Sequence, residues 1–333
     1  MFRSFVLITA CLLTPLLHGQ QITPQSPFVP IGPAFAPPAI SFATIDQGRK
    51  LLTTRDEFVA RLSPFDRAAR MKTDKDVSEG EYLAFVASNV LEWSPEEKSA
   101  VEAAWSGLLP KMAELHVPLP RTILFVKTTG AEEGNAEYTR GTGIVLPGSA
   151  LAPSKRENLP ALIAHETFHV LSRNAPQLRE RLYSIIGFQP CGEIPFPPGL
   201  ASRRITNPDA PLNDHCIFVK YGLGAVWVVP LLYSKSPRYD VAKGGPFFDY
   251  LQLNFLVLDK IPALVSAPYN TESPILLDIK EIDGFYDKVG RNTEYIIHPD
   301  EILADNFRLL LLGKTDVASP EILRNLARAL AQP

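Results

Sequence analysis

Apolar runs alternate with polar, turn-forming segments along the chain, and this pattern predicts a mixture of strands and helices. RTILFVKTT and GTGIVLPGSAL are short, rich in β-branched residues, and predict two strands. GAVWVVPLLYS and FFDYLQLNFLVLD predict two more, although residues 247–260 also fit a helix because periodicity does not separate the two for a short apolar run. PILLDIKEIDGFYDKVG predicts a further strand and turn.

Helices are predicted where charged and apolar positions follow a helical period. Residues 54–75 are charged and predict a helix, with Thr54 as its possible cap. In residues 94–97 a serine, a proline and two glutamates form a capping box, which predicts a helix continuing to Pro110. SPEILRNLARALA predicts a last amphipathic helix. The fold class expected from these elements is α+β.

The segment LIAHETFHVLSR contains the array His-Glu-x-x-His. His165 and His169 are four residues apart, so both imidazoles lie on one helical face and can bind one metal ion. Glu166 can then accept a proton from a water molecule at the metal. The array lies in residues 161–173, which lack proline and glycine, as a helix requires. The alternative is an amphipathic helix with two buried, hydrogen-bonded histidines.

A catalytic zinc needs a third protein ligand, and HPDEILADNFRLLLLG supplies one. Asp300 is expected to cap a helix over residues 301–312 that stops at Gly313. Glu301 and Asp305 share one face of it. Glu301 is therefore the predicted ligand, and Asp305 is expected to accept the second ring N–H of a ligating histidine.

The third ligand has alternatives in the sequence. Glu301 is also typical of an ordinary first-turn glutamate favoured by the helix dipole. Glu180, in the charged segment QLRERLY, and Glu193, in a Pro/Gly-rich loop, are alternative third ligands, but neither has a carboxylate four residues on within an apolar helix. A histidine six residues beyond His169 is absent, because Ala175 occupies that position.

The two helical segments resemble the gluzincin metallopeptidases, the thermolysin-like zinc enzymes, although about 130 residues between His169 and Glu301 is a wider spacing than in thermolysin. The resemblance implies a zincin-like fold with a mixed-sheet lobe, an HExxH helix and a second ligand helix. It implies one Zn²⁺, with His165, His169 and Glu301 as ligands and Glu166 as base. Asp305 would hydrogen-bond to a ligating histidine without touching the ion. By the same analogy residues 141–146 would pair with an extended peptide; an interior strand is an equal alternative.

The function that follows is hydrolysis of peptide bonds by zinc-activated water, with a peptide or protein as substrate. Two alternatives remain: a catalytically inactive, zinc-containing binding protein of the same fold, and a zinc amidase acting on cell-wall material. The candidate donors to the oxyanion are Tyr295, His298, Tyr239, Tyr250 and His215. For His298 a packing or capping role is the favoured interpretation.

The amino terminus predicts export. Residues 1–19 combine an early arginine with a short apolar run and are typical of a signal peptide; an uncleaved anchor and lipoprotein cleavage at Cys11 are alternatives. Residues 20–45 predict a Pro-rich arm, and residues 46–333 a catalytic domain with an elaboration at about 191–294. The expected location is secreted or periplasmic.

Charge and cysteine content narrow the picture further. A net charge of −3 gives no electrostatic case for nucleic acid or an anionic membrane, and no apolar run beyond the signal reaches membrane length. After export, Cys191 and Cys216 are expected to form a disulfide that closes a loop of about 25 residues, worth roughly 3 kcal/mol. Two buried free thiols are the alternative. The absence of any CxxC pair argues against a zinc finger.

Overall fold

The first half of the chain builds a mixed sheet. The computed structural model describes residues 36–259 and 269–331, so the predicted signal peptide and most of the predicted arm lie outside the described residues. The strands of this sheet are β1 (Ala39–Phe42), β2 (Val90–Leu91), β3 (Thr122–Thr128), β4 (Tyr138–Arg140) and β5 (Gly143–Pro147). Their order is β1-β3-β5-β4, with β2 antiparallel to the end of β3. Strands β1, β3 and β5 run parallel, whereas β4 is antiparallel to β5 and forms an edge.

This topology decides between the two interpretations of residues 141–146. The strand there, β5, lies between β3 and β4, so the interior-strand alternative is confirmed and pairing of this strand with a peptide is wrong. The edge strand is the short β4, which no pattern in the sequence indicates. The end of the segment predicted as an arm forms β1 and joins the sheet in parallel with β3.

A second sheet follows the segment that carries the His-Glu-x-x-His array. It consists of β6 (Phe188–Pro190), β7 (His215–Tyr221), β8 (Gly224–Ser234), β9 (Leu251–Leu258) and β10 (Leu276–Leu277), all antiparallel in the order β10-β9-β8-β7-β6. The strand prediction for residues 251–258 is confirmed and the helical alternative there is wrong, because pairing with β8 along its whole length satisfies the backbone. Four of the five strands lie within the predicted elaboration.

Ten α-helices lie within the described residues, which confirms the α+β class. They are α1 (Ile45–Leu52), α2 (Pro64–Arg70), α3 (Glu79–Ser88), α4 (Pro95–Glu114), α5 (Leu159–Asn174), α6 (Pro176–Ile185), α7 (Pro198–Ala201), α8 (Phe285–Val289), α9 (Pro299–Leu311) and α10 (Pro320–Leu330). The capping box of α4 forms as predicted, with Ser94 accepting from the backbone N–H of Glu97 and the Glu97 side chain accepting in return. In this described part of the chain no helix is long and apolar enough to cross a membrane.

The single helix predicted over residues 54–75 is wrong. A 3-10 turn spans Val59–Arg61, and α2 begins only at Pro64, capped by Ser63 rather than Thr54. Proline disfavours helical geometry in the residue before it, so the chain is extended at Ser63 and the helix restarts there.

The two helices that carry the candidate ligands pack against each other in the main hydrophobic core. Phe168 of α5 and Phe307 of α9 are both fully buried, and their ring centroids are 5.6 Å apart. The apolar faces of α5 and α9 belong to one cluster with buried residues of α4, β3 and β5. The polar residues between α5 and α9 are therefore held by a rigid apolar base.

The two cysteines lie together in a smaller apolar cluster beside the second sheet. Cys191 and Cys216 are both buried and both are free thiols in the structure. The neighbouring Cys216 thiol and burial raise the pKa of the Cys191 thiol. The disulfide therefore stays a prediction, for a pair that the fold brings into contact.

Candidate metal centre

Helix α5 presents the His-Glu-x-x-His residues to a polar cavity. His165 and His169 follow each other on one face, with ring centroids 4.9 Å apart. His169 is fully buried, and neither of its ring nitrogens has a hydrogen-bond partner. Buried polar nitrogens are rarely left without a partner, so these two atoms point to a ligand.

Helix α9 carries the predicted third ligand to the same place. Glu301 is 2% exposed, and its Oε2 lies 3.1 Å from His165 Nε2 and 3.6 Å from His169 Nε2. The side-chain amide of Asn207 donates to the other oxygen, Oε1, at 2.5 Å. One oxygen of this carboxylate thus lies near Nε2 of both imidazoles, as the spacing predicts.

Carboxylates also stand behind both imidazoles. Asp305 Oδ1 lies 3.2 Å from His165 Nδ1, the arrangement expected from the sequence, and the Thr293 hydroxyl donates to its other oxygen. Asp300 Oδ2 lies 3.6 Å from His169 Nδ1 and accepts from the Ser172 hydroxyl at 3.0 Å. Each ring is therefore backed by an acid on its Nδ1 side, which leaves Nε2 for a metal.

The predicted helix cap at Asp300 is wrong. Helix α9 begins at Pro299, and the cap is His298, whose Nδ1 accepts from the backbone N–H of Asp300 at 3.1 Å. The Asp300 carboxylate turns inward to Ser172 and His169 instead of back to its own helix. The favoured interpretation of His298, a capping role, is confirmed.

Glu166 faces the same cavity from α5. The hydroxyl of Thr139, on the edge strand β4, donates to Glu166 Oε2 at 2.8 Å. Burial raises the pKa of Glu166 to about 7, against the opposing charge of His165. A carboxylate with a pKa near neutrality is suited to accept and return a proton.

The charges of the site favour a cation at its centre. Burial raises the pKa of Glu301, but the two histidines outweigh it and lower that pKa to about 2. Burial alone would lower the pKa of His165; Asp305 and Glu301 instead raise it well above its usual value. The carboxylates thus favour positive charge on the imidazoles, and a metal ion would supply that charge in place of the protons.

The donor atoms fit a zinc ion. Zinc bonds of about 2.0–2.1 Å in a tetrahedron separate their ligand atoms by roughly 3.3–3.4 Å. The distances of 3.1 and 3.6 Å from Glu301 Oε2 to the two histidine Nε2 atoms bracket that value. Two imidazoles and one carboxylate are also a donor set that zinc enzymes use.

The structure adds residues to the site that the motifs do not include. Asp209, from the loop before β7, offers a ligand atom within 4.8 Å of those of His169 and Glu301. Thr139 contacts Glu166, and Asp300 stands behind His169, as described above. No motif marks Asp209 or Thr139, because both reach the site through tertiary folding; only the position of Asp300 next to Glu301 gives a signal.

The alternative third ligands are engaged elsewhere. Glu180 Oε2 lies 2.8 Å from His215 Nε2, and Glu193 forms a bidentate ion pair with Arg61. Neither carboxylate lines the metal cavity. Their pairing leaves Glu301 as the carboxylate that meets both histidines.

Of the five candidate oxyanion donors, one lines this cavity. The cavity is bounded by His165, Glu166, Glu301, Asp305, Arg308 and Tyr295, among others. Tyr295 is 40% exposed, but desolvation of its hydroxyl and then the nearby Glu301 raise its pKa well above the usual value, so it keeps its proton. Tyr239 and Tyr250 stack at 5.2 Å in a separate aromatic cluster, and His215 is held between Asp214 and Glu180.

Comparison with known protein families, with curated proteins and with solved structures found no match for this chain.

Proposed function

We propose that this protein is a zinc-dependent hydrolase of the gluzincin type that cleaves peptide bonds. One observation carries the proposal: Glu301 Oε2 lies close to Nε2 of both His165 and His169. His169 is buried, and its ring nitrogens have no hydrogen-bond partner. The HExxH and Glu-x-x-x-Asp residues on two packed helices support a zincin-like fold. Export to the periplasm or outside the cell is part of the proposal and depends on residues 1–19.

The chemistry divides between the ion and the protein. His165, His169 and Glu301 would hold a zinc ion, which when bound would lower the pKa of water and polarise a carbonyl group. Glu166 would take the proton of the attacking water and then deliver it to the leaving nitrogen, because its buried carboxylate faces the same cavity as the three ligands. Thr139 holds Glu166 in position through the 2.8 Å hydrogen bond to Oε2.

Tyr295 is the donor that we assign to the developing oxyanion. It lines the cavity together with Glu166 and Glu301, and it stays protonated near neutral pH. A neutral phenol at that position can donate to a negative oxygen, which is the usual requirement of such a site. Arg308 also lines the cavity and is paired with Asp305 at 3.0 Å.

The first test is the zinc content of purified protein together with cleavage of a peptide library. The wild type is expected to hold about one zinc ion and to cleave peptides. Glu166→Gln should keep the zinc and lower kcat/KM by about 10²–10⁴-fold, because only the base is lost. Glu301→Ala should lose the zinc. Glu157→Gln, an exposed position just before α5, is the matched control and should change neither.

The outcomes separate the proposal from its rivals. A wild type without zinc, or a Glu301→Ala variant that retains it fully, contradicts the metal site. A zinc-loaded wild type that cleaves no peptide favours the inactive binding protein. Cleavage of cell-wall fragments but not of peptides, in the same panel, favours the amidase.

A further inference from the structure

A short loop segment, Asn207-Pro208-Asp209, lies across the candidate metal centre and is tied to it at three points. Asn207 Nδ2 donates to Glu301 Oε1 at 2.5 Å. Arg173 donates to the Pro208 carbonyl. The backbone N–H of Thr139 donates to Asp209 Oδ1 at 2.6 Å. These bonds fix the carboxylate of Asp209 relative to the ligands on both helices.

The carboxylate of Asp209 is buried without a lysine or arginine in direct contact. The residue is 7% exposed, and within residues 36–259 and 269–331 no lysine or arginine forms an ion pair with it. A buried carboxylate whose charge no ion pair balances is costly. Asp209, His169 and Glu301 offer ligand atoms within 4.8 Å of one another, and both nitrogens of His169 lack hydrogen bonds. One Asp209 oxygen is bound by Thr139, and the carboxylate has a second oxygen to offer.

We propose that Asp209 is a fourth protein ligand, so that the resting zinc site is closed by His165, His169, Glu301 and Asp209. This inference depends on the proposed zinc site and deepens it. Four protein ligands are typical of closed sites, whereas catalytic sites keep one position for water. Hydrolysis then requires Asp209 to leave the ion.

The same segment also covers the edge of the sheet. The outward N–H of Thr139 is taken by Asp209, and the outward C=O of Thr139 accepts from Arg173 at 2.8 Å. These are the backbone groups through which an extended peptide would pair with the edge strand β4. Withdrawal of the segment Asn207-Pro208-Asp209 therefore opens the metal position and frees the N–H of Thr139, whereas the C=O of Thr139 stays bound to Arg173 of α5.

The test measures zinc affinity by competition with a chelator and the visible spectrum of the cobalt(II)-substituted protein. Asp209→Ala is expected to weaken zinc binding by at least about tenfold and to change the cobalt spectrum, because one oxygen ligand is lost. Asp209→Asn, which keeps an oxygen for the Thr139 N–H, should weaken zinc binding in the same direction.

Asp214→Asn is the matched control, since this carboxylate follows on the same loop but pairs with His215 at 2.6 Å. It should leave zinc affinity and the cobalt spectrum unchanged. A wild type that binds zinc, with Asp209→Ala and Asp209→Asn at wild-type affinity and with an unchanged spectrum, overturns the fourth ligand while leaving the proposed function intact. A wild type that binds no zinc instead overturns the proposed function itself.

Discussion

At the scale of single residues, two acids stand behind the histidines of the candidate centre. Asp305 stands 3.2 Å from Nδ1 of His165, and Asp300 stands 3.6 Å from Nδ1 of His169. Such partners fix the tautomer of a ligating imidazole and increase its basicity. The affinity of the site should therefore respond to changes one layer behind the ligands.

Asp305→Asn tests this layer. We expect zinc affinity to fall about 10–100-fold, because an amide neither holds the ring N–H of His165 as strongly nor balances its charge. The measurement is chelator competition at constant pH. The control is Asp316→Asn, an exposed carboxylate beyond α9, which should change nothing. If Asp305→Asn and wild type bind zinc with equal affinity, Asp305 only holds its neighbours Thr293 and Arg308 and does not support the metal site.

At the scale of elements, helix α9 begins with an unusual cap. His298 Nδ1 accepts from the Asp300 backbone N–H, which requires a neutral ring, and burial lowers the pKa of His298. Protonation would remove the acceptor. The pKa of His298 is lower in the folded state than in the unfolded chain. The free energy of unfolding therefore decreases as the pH falls below about 6.5, because the unfolded chain binds the proton more strongly.

His298→Asn replaces the titrating cap with a permanent one. We expect the zinc-free variant to lose less stability than wild type between pH 7.5 and 5.5, measured by denaturant unfolding at both values. His116→Asn, at a position outside the site and in the turn after α4, serves as the control and should keep the wild-type pH dependence. A variant with the same pH dependence as wild type would contradict the role of His298.

Local patterns along the chain predicted the start of α4, and also α5, β3 and β5, because caps and β-branched runs act within a few residues. The predicted end of α4 at Pro110 is wrong, because the helix continues through this proline to Glu114. They failed over residues 54–75, where a proline in the middle overrides a helical charge pattern. They also left the edge strand β4 unidentified. A strand of three residues has too little sequence to show alternation, and it exists only by pairing with β5.

The residues of the candidate site also fall into those that local sequence predicts and those that it does not. His165, Glu166, His169, Glu301 and Asp305 follow from spacing on two helices, since helical geometry alone puts each set on one face. Asp209 and Thr139 reach the site from a loop and a sheet edge, and their neighbours are distant in sequence. Asp300 shows a subtler limit: it occupies a position typical of a cap, and only the packing of α9 on α5 turns its carboxylate toward Ser172.

At the scale of the whole molecule, a buried ion network connects the helices of the first half to the loop that covers the site. Arg70 on α2 is fully buried and pairs with Asp66 at 2.6 Å and with Glu133, between β3 and β4, at 2.8 Å. It also donates to the Thr206 carbonyl, and Asp66 accepts from the Thr206 backbone N–H. Thr206 directly precedes the segment Asn207-Pro208-Asp209, so this network anchors that segment.

Arg70→Met should destabilise the fold by about 3–5 kcal/mol, because it leaves two carboxylates buried without their cation. Burial raises the pKa of Glu133 to about 7 even with Arg70 beside it. Without Arg70 the folded protein binds a proton at Glu133 still more strongly than the unfolded chain does. Stability of the variant therefore falls as pH rises, and the loss should be larger at pH 8 than at pH 5.5.

Denaturant unfolding at both pH values measures this loss. Arg55→Met is the matched control, since the exposed pair of Arg55 with Glu79 is worth about 1 kcal/mol or less. A loss below about 1 kcal/mol in Arg70→Met, or one independent of pH, would contradict the network as an anchor. If the anchor acts as argued, zinc-binding changes in Arg70→Met should follow those of Asp209→Ala, because both changes release the same segment from the metal centre.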